Sequence, residues 1–249
     1  MNSAEYTDFG YEKVSPQEKK KRVLNLFDSV ALKYDLMNDL MSLGSHRFWK
    51  QYAVHISGLK QGDKVLDVAG GTGDMTRLIA PRVGDMGNVT ICDLSHEMIS
   101  LGRNRLLDSG IYESVRYVQG DAEDLPFSNN SFDLIFIAFG LRNVADKPKA
   151  LRSMFSTLKY GSPLIIIEFS KVVLPLFRDL YHKYSDHYIP LLGKVIAKDE
   201  KSYRYLVESI RMHPDQETLK IMMEKAGFSR VEYFNLSGGV VAIHKAYKL

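Results

Sequence analysis

Glycines, carboxylates and one arginine–asparagine pair are the residues of this chain whose types and spacing could do chemistry. In LDVAGGTGD (Leu66–Asp74), Gly70, Gly71 and Gly73 surround Thr72 between Asp67 and Asp74. So glycine-dense a loop, opening a helix after a strand, allows a tight turn and close approach of a ligand to the backbone. A GxGxxG dinucleotide loop would carry a further glycine where Thr76 stands. Two flanking carboxylates would also repel a pyrophosphate, whereas they suit a cation or an amine. Asp93 follows Gly73 by 20 residues (93 − 73), where an acidic side chain would hold a ribose hydroxyl. Asp121, in GDAEDLPF, stands where it could receive an adenine amine, with the next amide, that of Ala122, on a ring nitrogen. Finally, Arg142 and Asn143 arrive directly after the apolar run Leu134–Phe139. A guanidinium and a carboxamide placed there demand a reason.

The elements that must position these groups are legible from Lys64 onward. Short β-branched runs alternate with amphipathic stretches: strands at Lys64–Gly70, Asn88–Ser95, VRYVQGDA, FDLIFIAF and PLIIIEFS, and helices beginning at Met75, Glu97 and Lys149. Such alternation implies crossover units and a parallel sheet covered on both faces. After a helix at Asp215–Ala226, two β-rich runs flank Ser237-Gly238-Gly239 and read as a hairpin, so the sheet should close with one antiparallel strand. The carboxyl ends of consecutive strands bring Asp67, Asp93 and Asp121 to one crevice. The expected fold is therefore α/β and Rossmann-like, seven-stranded and mostly parallel. It is one domain over residues 1–249, with a helical leader (1–60) and a helical insertion (171–213) serving as cap and lid.

Composition narrows the class. The formal charge is +3 over 249 residues, too small to argue nucleic-acid binding. The run Lys19-Lys20-Lys21-Arg22 reads as a solvated helix face. The single cysteine, Cys92, makes neither a disulfide nor a CxxC motif, and suits a cytoplasmic setting. No apolar run is long enough to cross a bilayer. His182 and His187 are five apart and no carboxylate completes a ligand set, so no metal is expected.

At these motifs the sequence resembles the UbiE/MenG family of quinone C-methyltransferases. VLDVAGGTGD, GDAEDLPF, FGLRNVAD, IEFSK and SYRYLVESIRMHPDQETL carry the resemblance, together with YDLMNDLMSLGSHRFWK in the leader and GFSRVEYFNLSGGVVAIHKAYK at the end. The resemblance implies a class I methyltransferase that uses S-adenosylmethionine. The substrate would be demethylmenaquinol, the methoxy-polyprenyl-benzoquinol precursor of ubiquinone, or both. Matched by position, Thr72, Asp93, Asp121 and Ala122 would contact the cofactor. The family commonly has a serine just before FGLRN; this chain has Ala138.

Methylating a ring carbon of a hydroquinone requires sharing or removing a phenolic proton, whose pKa is roughly 10, and stabilising the phenolate. Arg142 suits oxyanion stabilisation or water positioning, since arginine keeps its proton. A salt bridge from Arg142 to Glu168 is its competing role, and Glu168 could instead face the crevice or pair with Lys171. Asn143 would orient a quinol oxygen. The proton acceptor is open among Asp146, Tyr203 and Tyr205. Tyr34, His46, Arg47 and Trp49 read first as packing residues of a capping leader, whereas the resemblance implies that they help enclose the quinol; Tyr34, Tyr203 and Tyr205 are the substrate-binding candidates. Leu174, Leu176, Phe177, Ile189, Leu191 and Leu192 offer apolar surface for a polyprenyl tail and for peripheral membrane contact. A quinone-biosynthesis complex and a homo-oligomer are further partners compatible with the sequence.

Overall fold

The computed structural model describes residues 6–31, 36, 38–39, 42–173 and 200–249. Tyr34, His182, His187 and the apolar residues between 174 and 192 lie outside the described residues. The chain opens with an antiparallel pair, β1 (Thr7–Phe9) and β2 (Glu12–Val14), which the reading of a mostly helical leader missed. Helix α1 (Pro16–Val30) follows; Ser15 accepts the Glu18 N–H at 3.2 Å and Pro16 fixes the first helical φ. Helix α2 (His46–Ile56) completes the leader.

From there strands and helices alternate as the sequence implies. The order is β3 (Lys64–Val68), α3 (Asp74–Val83), β4 (Asn88–Asp93), α4 (His96–Asp108), β5 (Val115–Gln119), β6 (Leu134–Ala138), α5 (Lys147–Thr157) and β7 (Pro163–Phe169). Helices α6 (Glu200–Met212) and α7 (Gln216–Lys225) precede β8 (Ser229–Leu236) and β9 (Val241–Tyr247). The sheet runs β5-β4-β3-β6-β7-β9-β8. Its pairings are parallel as far as β7, and β9 is antiparallel to both of its neighbours. The seven strands and single reversed strand match the sequence expectation, as does the hairpin around Ser237–Gly239.

Alternation along each strand splits the core between the two sheet faces. Val65, Ile91, Phe136 and Ile167 pack with Trp49, Ile79 and Leu206 on one side. Leu66, Cys92, Ile137 and Ile166 pack with Leu151, Met154 and Leu219 on the other.

The chain leaves β3 toward β4 on one side, and β6 lies on the other. A crevice opens at such a reversal. Its rims are bent sharply: Ala69 and Phe139, each just past a strand, have φ of 52° and 56°. Left-handed backbone at a residue with a Cβ costs on the order of 1–3 kcal/mol. Each is held there by a ladder bond to the next strand, Ala69 N–H to Cys92 O and Phe139 N–H to Ile167 O, both 2.7 Å. A Cβ on Gly140 would fall 2.6 Å from that of Ala69, so the two rims meet at a place only glycine can occupy.

Candidate active site

One cavity fills the crevice, and its wall includes Asp67, Gly70, Gly71, Thr72, Asp93, Asp121, Ala122 and Asn143. The structure thus brings together most residues singled out from sequence. Gly73 instead is the N-cap of α3, with φ 78°.

Asp67 is buried at the end of β3. Its Oδ2 accepts the Thr76 hydroxyl at 2.8 Å, while its Oδ1 has no hydrogen-bond partner. Burial pushes the carboxyl up to about 7, against the pull of Thr76 and Lys50. A buried acceptor without a partner is costly and calls for a donor from outside the chain. Asp93 is engaged differently: Oδ2 accepts the Gly71 N–H and Oδ1 the Ser95 N–H, both at 2.9 Å. Burial raises it to about 6 although both bonds oppose the shift. The bonds fix the carboxylate's plane, and each oxygen keeps a lone pair for a hydroxyl.

The leader contributes more than packing. On α1, Lys20, Val23, Leu24 and Phe27 line the cavity, one helical stripe at spacings of three and four. Lys20 Nζ reaches Asp121 Oδ2 and Glu123 Oε2, both at 2.7 Å. Lys19 is buried, donating to the carbonyls of Arg142 (3.4 Å) and Val144 (3.0 Å), and desolvation lowers its ammonium to about 7. Arg22 pairs with Glu18 and Glu12. The expectation of a solvated basic face therefore holds for Lys21 only, because the other three cations meet carboxylates or carbonyls of folded neighbours. Lys50 of α2 also lines the cavity, and sequence reasoning missed it as it missed Lys20.

Arg142 is not at the lip. Its side chain is 3% exposed; Nη1 donates to Glu168 Oε1 at 2.8 Å and to the Phe139 carbonyl, and the guanidinium lies 5.5 Å from the Phe169 ring centre. The Arg142 N–H donates to Glu168 Oε2 at 3.1 Å. Glu168 thereby pins the FGLRN turn to β7, and Lys171 pairs with Asp215 instead. The guanidinium turns inward because a buried carboxylate attracts it more strongly than a wet crevice can.

Asn143 does face the cavity, and the Tyr205 hydroxyl donates to its Oδ1 at 3.1 Å. Burial pushes that hydroxyl's pKa further up, so Tyr205 remains a donor near neutrality and does not serve as a base. Asp146, another candidate base, is absent from the cavity wall: its carboxylate caps α5 by accepting the Lys149 N–H at 2.9 Å. Tyr203 is buried in the apolar cluster that holds Trp49 and Phe139. Trp49 Nε1 donates to the Ser237 hydroxyl at 3.0 Å, which fits the packing role. Ala138 contributes a methyl group to the cavity wall.

Residues 15–248 match the ubiE/COQ5 methyltransferase family. The chain belongs to the ubiE/COQ5 methyltransferase family. Its relatives include the ubiquinone/menaquinone biosynthesis C-methyltransferase UbiE of Idiomarina loihiensis, 56% identical over 98% of this chain and 97% of that one. UbiE of Proteus mirabilis is 55% identical, covering 100% and 99%. Among solved structures, a SAM-dependent methyltransferase from Aquifex aeolicus superposes with TM-score 0.61 at 19% identity, covering 95% of this chain and 100% of that one. The [4+2]-cyclase SpnF superposes with TM-score 0.68 at 15%, covering 92% and 96%. A cyclase on the same scaffold shows that the fold alone does not fix the reaction.

As a ubiE/COQ5 family member the chain is a methyltransferase, and its crevice suits S-adenosylmethionine. The unpartnered Asp67 Oδ1 fits an ammonium, and Asp93 fits a ribose diol. Among the described residues, no cluster of three or more His, Cys, Asp or Glu could hold a metal ion, and no helix is long and apolar enough to cross a membrane.

Proposed function

We propose that this chain methylates a ring carbon of a prenylated hydroquinone in ubiquinone or menaquinone biosynthesis. The observation that carries the reading is Asn143, set on the same cavity as the Asp67–Asp93 donor site with its amide oxygen already engaged. When bound, S-adenosylmethionine supplies an electrophilic methyl group on sulfur. Asp67 would take its ammonium, Asp93 its ribose, and Asp121 with Ala122 its adenine.

With Oδ1 holding Tyr205, the Asn143 side chain offers its N–H groups to the cavity. Aimed at a quinol oxygen, they stabilise charge as the phenol loses its proton, and a fixed donor is worth most where water is excluded. Val23, Leu24 and Phe27 of α1 and Ala138, Phe139 and Val144 of the sheet side supply that apolar enclosure. The names of the relatives, at 52–56% identity across nearly the whole chain, support the same substrate class. The polyprenyl tail places the reaction beside a membrane surface; failure to co-sediment with anionic liposomes carrying quinol would remove that part. Complementation of a quinone-methylation mutant, with quinone profiling by mass spectrometry, tests the reading. Restored menaquinone or ubiquinone supports it, whereas accumulation of unmethylated precursors from expressed, folded protein would reject it.

Asp67 gives the donor site a pH signature. The carboxyl is raised from 3.8 to about 7, so below neutrality it is protonated and offers an ammonium no charge. Affinity for S-adenosylhomocysteine should therefore rise roughly 10–30-fold between pH 5.5 and 7.5. Asp93, raised to about 6, acts in the same direction. The ligand-free fold loses stability as pH rises from 3.8 toward 7, because the folded state holds the proton more tightly. Asp67→Asn should flatten the affinity profile at its weak end, yet melt above wild type at pH 8 without ligand. Calorimetry and thermal melts across this range check both.

A further inference from the structure

Lys50 lies in the cavity wall and, unlike Lys20, hydrogen-bonds only one carboxylate. It is 5% exposed, and among the described residues its ammonium makes a single hydrogen bond, to Asp74 Oδ2 at 2.8 Å. An ammonium has three N–H groups, so two have no hydrogen-bond partner among the described residues; the ammonium also lies 5.7 Å from the ring centre of Phe139, another residue of the cavity wall. Lys20, by contrast, spends its charge on two carboxylates.

Asp74 does not neutralise Lys50 alone. Arg105 Nη2 stands 3.7 Å and Arg77 Nη2 3.9 Å from its other oxygen, and His46 Nδ1 3.8 Å from Oδ2. One carboxylate shared among these groups leaves the spot cationic. The first turn of α3 adds to it, because Gly73 caps that helix with no side chain and its leading N–H groups favour an anion. Asp67, meanwhile, presents its unpartnered Oδ1 to the same cavity. A cation-seeking oxygen and an anion-seeking ammonium in one wall describe the two ends of a zwitterion.

We infer that Lys50 binds the carboxylate of the amino-acid moiety of S-adenosylmethionine, opposite Asp67 on its ammonium. The inference rests on the methyl-donor reading above and adds a residue and a recognition rule to it. No bond to the donor is made or broken by Lys50; its role is affinity and choice among analogues.

The test is equilibrium binding by calorimetry, without turnover, of S-adenosylmethionine and its decarboxylated analogue. Wild type should prefer the carboxylated ligand by about 30-fold or more, the loss expected for one charge-assisted contact left unmade. Lys50→Gln should bring the ratio below about threefold by weakening the carboxylated ligand alone, and Lys50→Arg should restore most of it. If Lys50 merely braced Asp74, the glutamine variant would weaken both ligands equally and leave the ratio intact, which would overturn the assignment. A wild type that binds neither ligand would overturn the donor reading itself, a different and distinguishable result. Thermal melts without ligand confirm that both variants are folded.

Discussion

Arg142→Ala is expected to lower the unfolding free energy by about 3–5 kcal/mol, because it strands a buried carboxylate. For a chain of this length that corresponds to a melting temperature lower by roughly 6–20 °C. Glu168 is 2% exposed at its side chain and accepts from the Arg142 guanidinium, the Arg142 N–H and the Phe169 N–H. Removing the cation leaves an anion with two backbone donors and no countercharge in direct contact, only the more distant Lys147. Glu168→Gln in the Arg142→Ala background should recover part of the loss, since it removes the stranded charge and keeps an acceptor oxygen for one of the two N–H groups. Urea melts of the single and double variants measure this directly. The sequence alone pointed to a different outcome, intact donor affinity with severely reduced turnover. An Arg142→Ala protein as stable as wild type but inactive would restore the catalytic reading.

The largest effect on turnover is expected at Asn143. Asn143→Ala should reduce kcat on the order of 100- to 1,000-fold, the scale seen when one donor to a developing oxyanion is removed. S-adenosylhomocysteine affinity should stay within about twofold, because Asp67 and Asp93 are untouched. Tyr205→Phe probes the same group from behind. It removes the donor to Asn143 Oδ1, freeing the amide to rotate, and should cost about tenfold in kcat with little change in donor binding. Single-turnover assays on a short-chain demethylmenaquinol separate chemistry from product release. Equal losses for both variants, accompanied by weakened donor binding, would mean that the turn has collapsed rather than lost a donor.

The core sheet was legible because each of its strands is either a continuous apolar run or adjoins one. Burial on two faces leaves no other pattern. The glycine loop and the three strand-end aspartates were legible for a related reason: chain order alone puts consecutive strand ends at one crevice. What escaped reading depends on contacts between distant segments. The Arg142–Glu168 pair stands in the sequence only as a competing role, because the two are 26 residues apart and nothing local tells a strand-end glutamate which cation it will meet. The run Lys19–Arg22 looked solvated because its partners, Val144, Asp121, Glu123 and Glu12, belong to other elements. The hairpin at Thr7–Val14 has strands of three residues, too short for alternation to show. The stripe Lys20, Val23, Leu24 and Phe27 did carry a signal, since it is a helical face with a cation at one end.

The leader also has a consequence in time. Its contacts reach far down the chain: Thr7 Oγ1 to the Ala145 carbonyl, Phe9 stacked on Tyr205, the Tyr11 N–H to Glu208, and the Tyr11 hydroxyl to Arg211. The first of these spans 138 residues and the last 200. A ribosome adding roughly 5–20 residues per second needs about 10–40 s to supply the second half of such a pair. During that interval Phe9 has been made without the Tyr205 ring that it stacks on. Helix α1 waits less, since the partners of Lys19 and Lys20 lie between Asp121 and Val144, so the outer wall of the methyl-donor crevice has its contacts before α6 is made to cover β1.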